Sequence, residues 1–383
     1  MHYQHREIEK KLIEYIHHFP VTGLTGPRQS GKSTLLLHTL KDYRYVTFDD
    51  YRIVNFFYQD PQKFMATYAN KVIFDEVQKA PELFNYIKIA VDQDRSTVGK
   101  FIITGSSQFS FIKGLSETLA GRIGLLSLLP YQFSELPKKH DKNCIFQGTY
   151  PELVSKNYHL FQDWMSAYLE TYLQKDIASL AQIGDMRDFR RLLHLLAINT
   201  SQQLNLSRYA NDLGVDVKTI KRWISLLEAS YIIFLLPPFY ENFGKRIVKS
   251  PKIYFYDTGL VSFLTGIDSE EAFEKGPMAG SIFENYIVSE ILKKELHRKT
   301  FAELFYFRTS NGEEIDLIVD RKNTREWIEI KNSYTFHPRM MQLVEKIVDF
   351  EDKRNKGYLL YRGENFPYNS GVTVSFYQDY LEK

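Results

Sequence analysis

Up to about residue 130 the sequence alternates short apolar runs with amphipathic stretches. The apolar runs fall at 21–25, 45–48, 72–75 and 101–104, and helix-like segments fall at 34–40, 61–68 and 81–92. Runs this short and this apolar have to bury both faces, which a strand does in a parallel sheet whose crossovers are helices. The pattern therefore predicts an α/β segment with helices on both faces of a parallel sheet. A short last strand is expected near 125–128. Beyond Pro130 the pattern turns to long helices: Trp164, Tyr168, Leu169 and Tyr172 recur at helical spacing and are read as core.

The link between the first apolar run and the first helix reads Gly26-Pro27-Arg28-Gln29-Ser30-Gly31-Lys32-Ser33. Such a loop wraps backbone N–H groups around phosphates, because glycine permits close approach and a helix N-terminus favours anions. It is a Walker A loop and predicts binding of ATP with Mg2+. Lys32 is expected to reach the β and γ phosphates and the Ser33 hydroxyl to sit on Mg2+, with Thr34 as the weaker alternative ligand. The run at 72–75 ends in Asp75-Glu76, a Walker B pattern in which Asp75 orients Mg2+ and Glu76 polarises the attacking water. After the next run come Gly105-Ser106-Ser107-Gln108, where Ser107 or Gln108 is placed to sense the γ-phosphate. Arg122 reads either as a finger acting on a neighbouring subunit's phosphate, which implies a homo-oligomer, or as a surface arginine near a turn.

Composition narrows the setting. A chain of 383 residues is too long for one ordinary core. Its 49 basic and 47 acidic side chains leave a net charge of only +2, so a nucleic-acid surface has to be local. A single cysteine, Cys144, excludes an internal disulfide framework. No apolar run reaches the roughly 18 residues of a membrane span, and the first residues carry no signal-peptide core. A soluble, cytoplasmic protein without membrane contact is the expectation.

Residues 206–223 have the form of a helix-turn-helix: Ser207 is read as the first cap, Gly214 as the break and Asp216 as the second cap. Ile220, Trp223 and Leu227 then face inward, leaving Lys218, Thr219, Lys221 and Arg222 on or near the exposed side, where a recognition helix meets DNA. Strands expected at 231–236 and 252–256 complete a winged helix. Between them Lys245, Arg246 and Lys249, followed by Lys252, form a cluster placed to grip phosphates. The alternative is a winged helix that makes only protein contacts.

The last segment has the alternation of a hairpin: Asp316 lies in the first strand, Glu329 and Lys331 in the second, with a turn at Lys322-Asn323. That register sets Asp316 opposite Glu329 and Lys331 on the same face. Two carboxylates and a lysine suit metal-dependent phosphodiester cleavage, with Glu284, on the helix-like run 281–294, as a third carboxylate. The alternative is an amphipathic hairpin whose Asp and Lys face solvent.

With these residues in hand, the chain resembles a prokaryotic family of AAA-type ATPases that carry a C-terminal domain of unknown function with PD-(D/E)xK restriction-endonuclease-like features. The resemblance spans nearly the whole length and is carried by 24–33, 74–78, 104–107, 119–122, 148–152, 249–254 with 257–259, and 328–331. No proline-aspartate pair precedes the Asp316 strand. The resemblance implies an AAA core over 1–135, a helical and winged-helix part over 136–265 and a nuclease-like part over 266–383. The expected function is ATP hydrolysis coupled to action on duplex or branched DNA. The alternatives are a nucleotide-controlled switch with a protein partner and an inactive nuclease-like scaffold, or an ATP-coupled Mg2+-dependent nuclease.

Overall fold

The computed structural model describes residues 3–105, 118–140, 142–172, 186–239, 250–309, 311–348, 352–368 and 371–383. It divides into two compact units, one built on Met1–Tyr131 with Ala229–Tyr231 and Leu296–Arg298, the other on Gln132–Glu228, Ile232–Glu295 and Lys299–Lys383.

In the first unit the apolar runs become β1 (Val21–Thr25), β2 (Arg44–Thr47), β3 (Val72–Asp75), β4 (Phe101–Gly105) and β5 (Ile123–Ser127). They form one sheet in the order β2-β3-β4-β1-β5, parallel throughout. Helix α1 (Ile8–Ile16) precedes β1 and α2 (Lys32–Thr39) follows it. Helices α3 (Tyr51–Gln59) and α4 (Pro61–Thr67) join β2 to β3, and α5 (Leu83–Gln93) joins β3 to β4. Alternation along the strands sorts side chains to two layers. Val72, Phe74 and Ile103 pack with Phe48, Phe57 and Phe64 on one side, and Leu24, Ile73 and Ile102 with Ile8, Leu12 and Leu36 on the other. Asp50 and Asp60 start α3 and α4 by accepting from the N–H groups of Arg52 and Lys63.

The second unit opens with helices. In α6 (Phe161–Tyr172) the buried stripe is Phe161, Met165, Tyr168 and Tyr172. Trp164 and Leu169, expected in the core, are half-buried, and Trp164 stacks on Tyr168 with ring centroids 5.2 Å apart. Helices α7 (Met186–Ile198), α8 (Leu206–Leu213) and α9 (Val217–Ala229) lead into β6 (Ile233–Leu236) and β7 (Lys252–Phe255), an antiparallel pair. The cap of α8 is Asn205, not Ser207. The extended backbone of Asn205 lets its Oδ1 accept from Arg208 N at 3.0 Å, and the helix therefore starts before Ser207, which lies inside it. Gly214, at φ +68°, ends α8, and Asp216 caps α9 through Thr219 N at 2.8 Å.

After α10 (Thr258–Thr265) and α11 (Ala279–Arg298) comes a mixed sheet of β8 (Glu303–Arg308), β9 (Glu314–Arg321), β10 (Thr324–Lys331), β11 (Asn355–Tyr361) and β12 (Val372–Phe376). Its order is β12-β11-β10-β9-β8, antiparallel from β8 to β10 and parallel from β10 to β12. Residues on both sides of position 265 lie in this second unit. Buried polar groups bind them. Asn285 of α11 accepts from Thr200 Oγ1 at 2.6 Å and Phe255 N at 2.8 Å, and donates to Phe255 O at 2.8 Å. Phe239 N donates to Tyr306 O at 2.7 Å and Tyr306 N to Pro237 O at 3.0 Å. Splitting these pairs would leave donors and acceptors unsatisfied, at roughly 1–3 kcal/mol each.

Two motifs far apart in sequence also meet here. Asp257 caps α10 through Gly259 N at 3.0 Å and accepts from Thr149 N at 2.7 Å. Gly148, at φ +75°, makes room for it: a Cβ there would lie 1.9 Å from Asp257 Oδ1. Gly148→Ala should therefore lower stability by roughly 1–3 kcal/mol from the clash, with strain at positive φ added. Urea unfolding measures this as a lower midpoint, and an unchanged midpoint would contradict the close approach.

Candidate functional site

The parallel register brings the C-terminal ends of four strands side by side: Leu24 pairs with Thr104, Thr47 with Asp75 and Phe74 with Ile103. The Walker A loop leaves β1 at this edge. Its path needs left-handed backbone at Gln29 (φ 63°) and Gly31 (φ 92°), and Gly26 sits at φ 144°. A Cβ on Gly26 would lie 2.0 Å from Leu128 O, so the tight turn requires glycine. The Lys32 ammonium donates to the carbonyls of Gly26 at 3.0 Å and Pro27 at 2.9 Å, folded over its own loop. Ser30 is fully buried and its Oγ has no hydrogen-bond partner among the described residues. Arg6, which in sequence is only one of a charged run, is buried and donates to Ser30 O at 2.9 Å and Leu129 O at 2.7 Å.

Asp75 gathers the neighbouring elements. The Ser33 hydroxyl of α2 donates to its Oδ2 at 2.9 Å, Tyr45 of β2 donates to the same oxygen, and Thr104 of β4 donates to Oδ1. Burial, then the bond to Asp75, holds the Tyr45 phenol well above the ordinary tyrosine range, so Tyr45 stays a donor. Sequence reading did not single out Tyr45, because an aromatic residue in a strand is usually core.

Glu76 adopts left-handed backbone at φ 57°, an uncommon conformation for a residue with a side chain. Burial raises its carboxyl pKa, the Lys32 charge opposes that shift, and the Asp75 charge adds to it. Gln78 Nε2 donates to Glu76 Oε2, and Glu76 N points to Thr104 Oγ1 at 3.4 Å. Ser107 and Gln108 lie outside the described residues. Arg122 is held within its own unit: Nε and Nη2 clasp the two Asp92 oxygens at 2.8 and 2.9 Å. A role on a neighbouring subunit would require that fork to open.

The fit to ATP and Mg2+ can be judged on these groups. A glycine-lined turn, a Ser30 hydroxyl without a hydrogen-bond partner among the described residues, a lysine folded onto the loop carbonyls, and a Ser33 hydroxyl on a buried carboxylate supply the donors a phosphate chain takes and the oxygens a magnesium ion takes.

The second unit holds a separate carboxylate cluster. The β9–β10 pairing runs from Arg321↔Thr324 to Leu317↔Ile328, one step short of Asp316 and Glu329. Asp316 Oδ2 accepts from Ile330 N at 2.8 Å, and Lys331 Nζ bonds Glu329 Oε1 and lies 3.8 Å from Asp316 Oδ2. Glu284 of α11 lies near enough for its charge to act on Glu329 and that of Asp316 to act on it. Burial raises the pKa of both Glu284 and Glu329, and the Asp316 charge reinforces this. Lys252, which the sequence grouped with the phosphate-gripping wing, is instead buried here. Its Nζ lies 2.9 Å from Glu284 Oε1 and 2.5 Å from Glu314 Oε1. Among the described residues no group of three or more His, Cys, Asp or Glu is arranged to hold a metal ion.

On α9, Lys218, Lys221 and Arg222 are exposed and pair with no acid among the described residues, while Ile220, Trp223 and Leu227 are buried. Lys245, Arg246 and Lys249 lie outside the described residues. Among the described residues no helix is long and apolar enough to cross a membrane.

Residues 18–137 match the family described as an AAA domain, residues 139–271 a domain of unknown function (DUF8612) and residues 279–380 another (DUF4143). An uncharacterized protein of Mycobacterium tuberculosis is 29% identical over 375 residues, covering 97% of this chain and 83% of its own. One from Methanocaldococcus jannaschii is 23% identical, covering 94% and 86%. Among solved structures, a Walker-type ATPase of Pyrococcus abyssi aligns over 68% of this chain and 95% of its own at 17% identity, with a TM-score of 0.46. AMPPCP-bound DnaA from Aquifex aeolicus aligns over 58% and 86% at 14% identity, with a TM-score of 0.31. The family match and the five-stranded parallel sheet agree: residues 18–137 are similar to an AAA domain and carry an α/β fold of the P-loop kind.

Proposed function

We propose that the chain is an ATPase that acts on DNA. The observation that carries the ATPase reading is the bond from Ser33 to the buried Asp75 at the end of β3, with Glu76 next in sequence and Lys32 one residue before Ser33. When bound, ATP supplies the scissile phosphoanhydride and Mg2+ offsets its charge. Lys32 would exchange the Gly26 and Pro27 carbonyls for phosphate oxygens, and Ser33 and Asp75 would hold the metal. Glu76, raised by its surroundings, would orient water and accept its proton.

The DNA reading rests on the α9 face. Three exposed cations that pair with no acid among the described residues, on the second helix of a helix-turn-helix, suit phosphate and groove contact. Partner subunits fit the same reading, with Arg122 released from Asp92 toward a neighbour's nucleotide in a homo-oligomer working in the cytoplasm. A second reading, an ATP-coupled Mg2+-dependent nuclease, is favoured by the convergence of Glu284, Asp316, Glu329 and Lys331 in one cluster. Asp316→Ala would then abolish plasmid nicking.

Lys32→Ala should abolish ATP binding, whereas Glu76→Gln should keep binding and lose at least about 100-fold in turnover. Equilibrium binding of a fluorescent ATP analogue and phosphate release separate the two effects, and normal turnover by either variant contradicts the site. Because burial raises the Glu76 pKa, more protons stay bound as pH falls, and turnover should decline at a higher pH than the ordinary glutamate value of about 4.3 would give. A flat pH–rate profile down to that value would remove Glu76 as the base. Replacing Lys218, Lys221 and Arg222 by Ala should weaken duplex binding and flatten its log–log salt slope by about 0.9 per lost phosphate contact. An unchanged slope moves the DNA site elsewhere.

A further inference from the structure

The carboxylate cluster of the second unit already contains a cation. Lys252 lies in β7, where its backbone is held by pairing with Leu236, while the carboxylates it meets come from α11 and β9. It is only 3% exposed. An ammonium buried to that degree costs several kcal/mol unless paired, and here it is paired twice. Burial pulls its pKa down, yet the charges of Glu284, Asp316 and Glu314 hold it above the ordinary lysine range. The Tyr306 ring lies 5.7 Å from the ammonium, adding a favourable face.

The bonding leaves little for an incoming ion. Glu284 Oε1 accepts from both Lys252 and the Tyr254 hydroxyl, at 2.9 and 2.7 Å. Glu314 is shared between Lys252 and Arg308, whose Nη1 lies 3.0 Å from Oε2. Asp316 Oδ2 is taken by Ile330 N, and Glu329 Oε1 by Lys331. The four carboxylates of Glu284, Glu314, Asp316 and Glu329 thus face three chain cations, Lys252, Lys331 and Arg308. Glu329 Oε2, on a residue 7% exposed, is buried without a hydrogen-bond partner among the described residues. A carboxylate oxygen left dry and unpaired marks a place where positive charge is still wanted.

We propose that Lys252 is a chain-supplied counter-ion that occupies the cation position of the carboxylate cluster and keeps a divalent metal out. The proposal takes from the second functional reading only that the cluster can hold a cation. Its consequence is that the nuclease-like sheet has acidic residues and a lysine in one place but lacks metal affinity while Lys252 is charged and seated. Removing that charge, without removing any carboxylate, should open the site.

The test is Mn2+ titration of the full chain without nucleotide, followed by calorimetry and by the electron paramagnetic resonance signal of free Mn2+. Asp316→Asn serves as the blank for metal bound elsewhere. Wild type should show no Asp316-dependent binding at 1 mM or below, a threshold on the order of the weakest extracellular Ca2+ sites. Lys252→Met should bind at least about tenfold more tightly, and the gain should vanish in Lys252→Met combined with Asp316→Asn. Lys252→Arg, which keeps the charge, should stay like wild type, an outcome a purely structural role would not produce. If Lys252→Met fails to fold, Lys252→Gln keeps a donor toward Glu284 without the charge and makes the same prediction. Tight, Asp316-dependent binding by wild type would overturn the proposal while leaving the cluster a cation site. Absence of binding in every folded variant would overturn both.

Discussion

The buried carboxylate of Asp75 is the constraint around which the first unit is arranged. A charge only 4% exposed at the end of a central strand is tolerable only if its oxygens are satisfied. Three hydroxyls do this, one from each neighbouring element: Ser33 from α2, Tyr45 from β2 and Thr104 from β4. They can converge only because the strand order β2-β3-β4-β1-β5 and its parallel register put the C-terminal ends of these strands at one edge. The Walker A loop starts from that same edge, so the glycine-lined turn and the Asp75 carboxylate are placed by the sheet itself. Arg6 adds a support from outside the sheet by holding the Ser30 carbonyl.

The second unit is organised by a different use of buried polarity. Asn285, Asp257 and the cluster around Glu284 each satisfy backbone or charged groups from segments distant in sequence. Helix α11 carries several of these groups, which is why its buried side is not a clean apolar stripe. Such networks fix partners more narrowly than apolar packing does, since a misplaced partner leaves an unpaired group in a dry interior. They also explain why the helical segment and the mixed sheet form one unit.

Much of the first unit was legible because its signals are local. The strand–loop–helix order around Gly26 to Ser33, and the apolar run ending in Asp75-Glu76, need only neighbouring residues to be recognised. The β9–β10 register was also legible, since alternation and a turn at Lys322-Asn323 determine which residues face each other. What was not legible depends on distant partners. Lys252 follows a basic stretch and reads as solvent-facing, but Glu284 and Glu314, 32 and 62 positions away, draw it inside. Arg122 reads as free until Asp92 is seen clasping it. The cap of α8 shifted to Asn205 because either residue type caps well and only the backbone angle decides between them.

The proposed function couples nucleotide turnover in the first unit to DNA. It is tested most directly by ATP turnover of the full chain alone, with linear duplex and with forked or four-way DNA, using Lys32→Ala as the blank. Turnover that Lys32→Ala eliminates and that at least one DNA form stimulates several-fold is the expected result. Turnover of the same rate with and without every DNA would contradict it and favour a nucleotide-controlled switch that binds a protein partner.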